Sequence, residues 1–207
     1  MKNILIHGLG QDNRSWEAVQ KLLETENLTT HCPKLFDLLK DDPYTYENLY
    51  QKLEEQLNHY DDKVNLCGLS LGGLLALDYA KNYPNKVNSS ILIGVPYKIP
   101  PLLMTIQSLV FKLMPKASFI KLGLTKDEFI RLISSTKSLS IHTDLEKISC
   151  QTLIICGEKD KLNLKSSQLF HEAIKQSALK TIKNAGHEVN RDNPSDLAGL
   201  ISAFWKR

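Results

Sequence analysis

The serine in Gly68-Leu69-Ser70-Leu71-Gly72-Gly73 has surroundings that point more directly to chemistry than those of any other residue in the 207-residue chain. It falls between a predicted strand over 63–67 and a predicted helix over 71–83. The spacing G-x-S-x-G therefore lies in a strand-turn-helix setting, where a serine is lifted onto a strained turn. Small residues at 68 and 72 permit that turn, and the helix start behind it aims free N–H groups at developing negative charge. A serine alcohol needs a base to remove its proton, and the base works best when an acid orients it. Asp160, in Gly157-Glu158-Lys159-Asp160, follows a predicted strand over 152–156. His187, in Ala185-Gly186-His187-Glu188, follows a predicted strand over 179–182. Glu158 is a rival acid and Asp144 a weaker one. His7, His31, His59, His142 and His171 lie mostly on predicted helices or in segments without a matching acid, so His187 leads as base.

A fourth part is a site for the oxyanion. His7-Gly8-Leu9-Gly10 ends the first predicted strand, and its loop can offer a backbone N–H opposite that of the residue after the serine. Leu9 and Leu71 are the expected main-chain donors. Gly8-x-Gly10 is also a fragment of a nucleotide-binding glycine loop. Asn13 stands where the third glycine would be and no Gly-Lys-Ser/Thr follows, so nucleotide binding is unsupported.

The elements that must position these groups alternate along the chain. Strands are predicted over 2–7, 27–32, 63–67, 86–93, 152–156 and 179–182, with helices from about 15, from Thr45 as N-cap, and over 71–83, 164–177 and 194–205. Strands separated by helices point to a mainly parallel sheet covered on both faces, with chemistry beyond the carboxyl ends of the strands. Residues 96–149 break the alternation. There, Leu102, Leu103, Ile106, Leu109, Val110, Leu113 and Met114 make an apolar stripe at helical spacing. Thr125 with Glu128 forms a capping-box pattern ahead of Phe129, Leu132 and Ile133. This segment is expected to be a helical cap inserted into a single 1–207 domain, with Leu102, Ile106, Leu109 and Phe129 as substrate-pocket candidates; ordinary core helices are the alternative.

Composition sets the class. Hydrophobic residues at 42% suffice for a core, and 26 basic against 23 acidic residues give +3. With no basic stripe, nucleic acid is not indicated as a partner. Cys32, Cys67, Cys150 and Cys156 are too sparse for a disulfide framework and lack zinc spacing. The apolar-rich window 100–115 falls short of the roughly 20 residues that span a bilayer. A cytoplasmic protein without stable membrane insertion is expected; oligomeric state is not readable.

The chain resembles an α/β-hydrolase-fold serine hydrolase, in particular its small, capped, carboxylesterase-like members. The matching pieces are Ile6-His7-Gly8 with Trp16 beyond, Gly68-Leu69-Ser70-Leu71-Gly72-Gly73, Gly157-Glu158-Lys159-Asp160, and Ala185-Gly186-His187-Glu188-Val189 followed by Asn193-Pro194. The order Ser, Asp, His is that fold's order. The resemblance implies a Ser70–His187–Asp160 triad and no metal or organic cofactor. It does not name the substrate; hydrolysis of carboxylic esters through an acyl-enzyme is expected, and the apolar stripe over 102–114 favours small to medium apolar ones. The same triad on a thioester or a C–C bond, and a non-catalytic binding module on the same fold, are the alternatives. Two departures are visible: the oxyanion loop directly follows the first strand, making the sheet shortened at its N-terminus, and no Asp-x-x-Gly loop follows the second.

Overall fold

A computed structural model describes residues 1–39, 42–98, 115, 119 and 124–207. Six strands are present among them: β1 Lys2–Ile6, β2 Thr30–His31, β3 Val64–Leu69, β4 Val87–Ile93, β5 Gln151–Gly157 and β6 Ser177–Ile182. They pair side by side in the order β2-β1-β3-β4-β5-β6, and every pairing is parallel.

A parallel strand covered on both faces must be apolar on both, and here the alternation divides the core into two layers. Ile4, Ile6, Val64, Leu66, Leu92 and Ile154 point to one side. Leu5, Cys67, Ile91, Ile93, Leu153 and Ile155 point to the other. The register lines up the second set across the sheet, with Leu5 opposite Cys67, Cys67 opposite Ile91, and Ile91 opposite Leu153.

Helices cover each layer. On the first face lie α2 (Tyr46–Asn58), α3 (Leu71–Asn82), α4 (Lys126–Ser135) and α5 (Lys161–Ala173). The second face carries α1 (Glu17–Thr25) and α7 (Pro194–Trp205), with a single turn α6 (Val189–Asp192) before α7. Sequence pattern explains several starts. Thr45 Oγ1 accepts from Asn48 N–H at 3.2 Å, and Leu49, Leu53 and Leu57 form the buried stripe of α2. The Thr125–Glu128 capping box closes in both directions, at 3.3 and 2.6 Å.

Two expectations shift. The expected 27–32 strand shortens to the two-residue edge strand β2, whose residues are not buried. The expected 164–177 helix begins and ends earlier, because Asp160 occupies the N-cap position of α5 and Ser177 already belongs to β6. The whole of the expected cap stripe, with Leu102, Ile106 and Leu109, lies outside the described residues. No helix among the described residues is long and apolar enough to cross a membrane.

Strand order places the crevice. β1 has β2 on one side and β3 on the other, so the chain runs one way from β1 to β2 and then back the other way, past β1, to β3. Loops after β1 and β3 then part at their carboxyl ends, the position where open parallel sheets bind ligands.

Candidate active site

Ser70 sits at that crevice, at the end of β3 and the start of α3. Its backbone has φ 53° and ψ −111°, a left-handed conformation that is costly for a residue with a Cβ. The turn is held on one side by Ser70 N–H donating to Ile93 C=O at 2.8 Å, and on the other by Leu74 N–H donating to Ser70 C=O at 2.9 Å. Its side chain makes no capping bond to α3, so Oγ is not spent on the helix. The flanking glycines are needed for close approach. A Cβ at Gly68 would overlap the Gly72 backbone, and one at Gly72 would overlap the carbonyl of Ile6. The first turn of α3 thus rests directly on β3 and β1.

Asp160 and His187 meet beyond β5 and β6. Asp160 Oδ2 lies 2.7 Å from His187 Nδ1. A carboxylate only accepts, so the hydrogen sits on Nδ1 and leaves the Nε2 lone pair free. The Asp160 side chain is 6% exposed and that of His187 42%, a buried acid behind a base that solvent can reach. Burial pushes the Asp160 carboxyl up, but the hydrogen bonds from His187 and Asn163, with the attraction of His187, outweigh it and hold the group below its ordinary value.

Backbone contacts bring these loops together. Glu158 N–H donates to Ile182 C=O and Lys159 N–H to Ala185 C=O, each at 2.9 Å. Gly186 N–H donates to Asp192 Oδ2 at 2.7 Å, bracing the histidine loop against α6. Gly94, which follows β4, has φ +56°, and a Cβ there would stand 3.1 Å from the His187 ring and 3.4 Å from Asp160 Oδ2. It is the floor beneath the pair.

The rival residues are engaged elsewhere. Glu158 accepts from Asn184 N–H at 3.0 Å, and Asp144 pairs with Lys147 at 3.0 Å. Among the described residues His187 is the one histidine within ion-pair distance of a carboxylate. His7 is buried and pinned by its backbone. It donates from Nδ1 to Gly8 C=O at 3.0 Å, and Leu35 N–H donates to Nε2 at 3.4 Å. Burial drives its pKa down, against the raising effects of the Gly8 hydrogen bond and Asp12. All four cysteines are free thiols, and burial raises Cys156 to about 11 and Cys32 to about 12.

Ser70, Asp160 and His187 border one cavity of about 680 Å³, together with Leu9 and Leu71. Its wall joins apolar Leu74, Tyr97, Ile133 and Leu169 to Lys98 and Lys165. Phe129 is not part of that wall. It is buried against Phe119, ring centres 5.0 Å apart, and the cavity is met one turn later by Ile133 on α4 and by Thr136 just past its end.

Three participants carried no motif. Gly94 was signalled by a lone glycine after a strand. Asn163 was signalled by nothing except its place three residues after Asp160. The third is a buried exchange between Gln11 and Asn190, each 1% exposed, joined by two hydrogen bonds of 3.2 Å. Gly8 N–H reaches Gln11 Oε1 at 3.4 Å and Asn190 Nδ2 donates to Ser15 C=O at 3.0 Å, so the pair ties the loop after β1 to the turn after His187.

A parallel sheet with helices on both faces and a serine elbow at its switch point defines a protein of the α/β-hydrolase fold. The profile of the alpha/beta hydrolase family matches residues 4–200, and the chain belongs to that family. Its relatives include a monoacylglycerol lipase, ABHD6, of Rattus norvegicus, 28% identical over 97% of this chain and 74% of the relative. A proline iminopeptidase of Saccharolobus solfataricus is 27% identical over 79% of this chain and 71% of the relative. Among solved structures, a thermophilic esterase from Thermogutta terrifontis superposes with a TM-score of 0.81 at 20% identity, covering 100% of this chain and 89% of the esterase. The chain is therefore an alpha/beta hydrolase with lipase- and esterase-type relatives.

Proposed function

We propose that the chain is a serine hydrolase that cleaves carboxylic esters of small to medium apolar substrates through an acyl-enzyme on Ser70. The observation that carries this reading is the 2.7 Å Asp160–His187 contact on the same cavity as the strained Ser70 elbow. His187 Nε2 takes the Oγ proton as Ser70 attacks the ester carbonyl, and the oxyanion is held by Leu9 and Leu71 N–H. His187 then gives that proton to the departing alcohol. A water, deprotonated in turn by His187, attacks the acyl-enzyme, and the acid is released as His187 returns that proton to Ser70 Oγ. Asp160 stays ionised throughout, fixing the tautomer and balancing the imidazolium. Backbone strain at Ser70 persists only where the surroundings impose it, which favours catalysis over passive binding on this fold.

A fluorophosphonate should label the folded protein at Ser70 and leave Ser70→Ala unlabelled. Equal labelling of both would sink the mechanism. Lys98 and Lys165 on the cavity wall favour a second substrate reading, in which the ester also carries an anionic group. Rates on neutral and carboxylate-bearing p-nitrophenyl esters, and on acyl-thioesters, separate these substrate classes.

A further inference from the structure

Asn163 stands against both oxygens of Asp160. Its Nδ2 is 3.0 Å from Oδ1 and 2.9 Å from Oδ2, and 3.3 Å from His187 Nδ1. The helix makes this contact unavoidable. Asp160 is the N-cap of α5 and Asn163 its third residue, and residues three apart share a face. Asn163 N–H and Leu164 N–H both donate to Asp160 C=O at 3.1 Å, so the backbone of the pair is fixed as well.

We propose that Asn163 is a positioning residue whose side-chain amide clamps the Asp160 carboxylate and so fixes His187 in the orientation that serves Ser70. The proposal rests on the catalytic reading given above. The physical argument is one of shape and charge. Asn163 faces the acid with its –NH2 group, since its carbonyl there would meet two like-charged oxygens. One donor spanning both oxygens stops the carboxylate from turning about its Cβ–Cγ bond, which keeps Oδ2 aimed at Nδ1. Oδ2 therefore serves two donors, the imidazole and the amide, and its pull on a protonated imidazole is shared.

Removing the amide has a definite sign. Without it the carboxylate can turn, Oδ2 is no longer held on Nδ1, and turnover falls while substrate binding does not. A carboxylic acid at 163 has the shape of the amide but, beside the two Asp160 oxygens, either repels them or takes up a proton. Among the described residues, charged groups near the pair include Lys98 and Lys165 on the cavity, Lys159 and Lys161 on either side of Asp160 in the chain, Glu158 held by Asn184 N–H, Glu188 paired with Arg191, and Asp192 held by Gly186 N–H. They are the same in every variant at 163, so a difference between variants reads residue 163.

Asn163→Ala, benign for the start of a helix, and Asn163→Asp, equal in shape, are the variants to measure. Expected for Asn163→Ala is a fall in kcat of about ten- to a hundredfold with KM little changed. Asn163→Asp, which lacks the amide donors, should lose kcat at least as much. The Nδ1–H proton resonance of His187, bonded to Asp160 in the wild type, should broaden in Asn163→Ala. A helix-start role alone would lower Tm in Asn163→Ala and leave both kcat of the folded protein and that resonance as in the wild type; that result overturns the proposal. Absence of turnover in the wild type would count against the catalytic reading instead, while the His187 resonance still reports on the clamp.

Discussion

At the amino ends of β1, β3 and β4 a buried asparagine makes three side-chain hydrogen bonds, whereas beyond the carboxyl ends of β3 and β4 lie a strained serine turn and a glycine at positive φ. Asn65, 4% exposed, donates to Asn3 Oδ1 at 2.8 Å and accepts from Asn88 Nδ2 at 2.8 Å and Ser89 Oγ at 2.7 Å. Asn3 in turn donates to Thr29 C=O at 2.9 Å. The opposite end has positive φ at Ser70 and Gly94, a helix start with free N–H groups, and His187 open to solvent. One end joins neighbouring strands through satisfied polar groups, and the other leaves polar groups uncommitted where a ligand can meet them. Stability and reactivity are separated along the strand axis.

The comparison is broken most forcefully at the carboxyl end. His187→Ala should lower turnover by roughly 10⁴–10⁶-fold, with Tm nearly unchanged. A large loss of Tm alongside activity would show that the two ends are not separate. At the amino end, Asn65→Ala leaves the side chains of Asn3, Asn88 and Ser89 short of a partner. It should cost about 1–3 kcal/mol in denaturant unfolding while specific activity of the folded fraction stays at wild-type level. The smallest effect concerns His7, which directly follows the carboxyl end of β1. Its folded pKa is lowered by burial, so the unfolded chain takes up the proton first as pH falls. The stability contributed by neutral His7 is complete above about pH 6.5 and declines below it, by about 1.4 kcal/mol per pH unit until the folded-state pKa is reached. Tm measured from pH 8 to 5 should show this slope, and His7→Asn should flatten it.

Much of this was legible because short-range rules govern it. Helices α2, α3, α4 and α7 carry apolar stripes with caps or glycine boundaries, and the serine, acid and histidine loops each follow a strand. What was not legible depends on side chains meeting across loops. The Gln11–Asn190 pair has no local pattern, because a partner 179 residues away leaves no periodicity, and Asn163, three residues from Asp160, shows its role only once α5 is known to start at Lys161. The start of α5 was misplaced because Leu162, 75% exposed, interrupts the apolar count in the turn that holds Asp160. Phe129 was expected at the pocket because an apolar stripe does not tell which turn of α4 meets the cavity and which meets Phe119.

The pairing of β4 with β5 has a consequence for synthesis. Ser89 lies opposite Gln151, so β4 has no neighbour on that side until the chain beyond residue 150 has been made. Synthesis runs from the N-terminus, so β1 to β4 and Ser70 leave the ribosome before Asp160 and His187 exist. In the proposed mechanism such a chain holds the nucleophile with neither base nor acid, and wherever β4 is already formed it bares the apolar edge Ile91-Leu92-Ile93 to any strand that passes. Pairing of the last two strands covers that edge and completes the proposed reactive set in the same event.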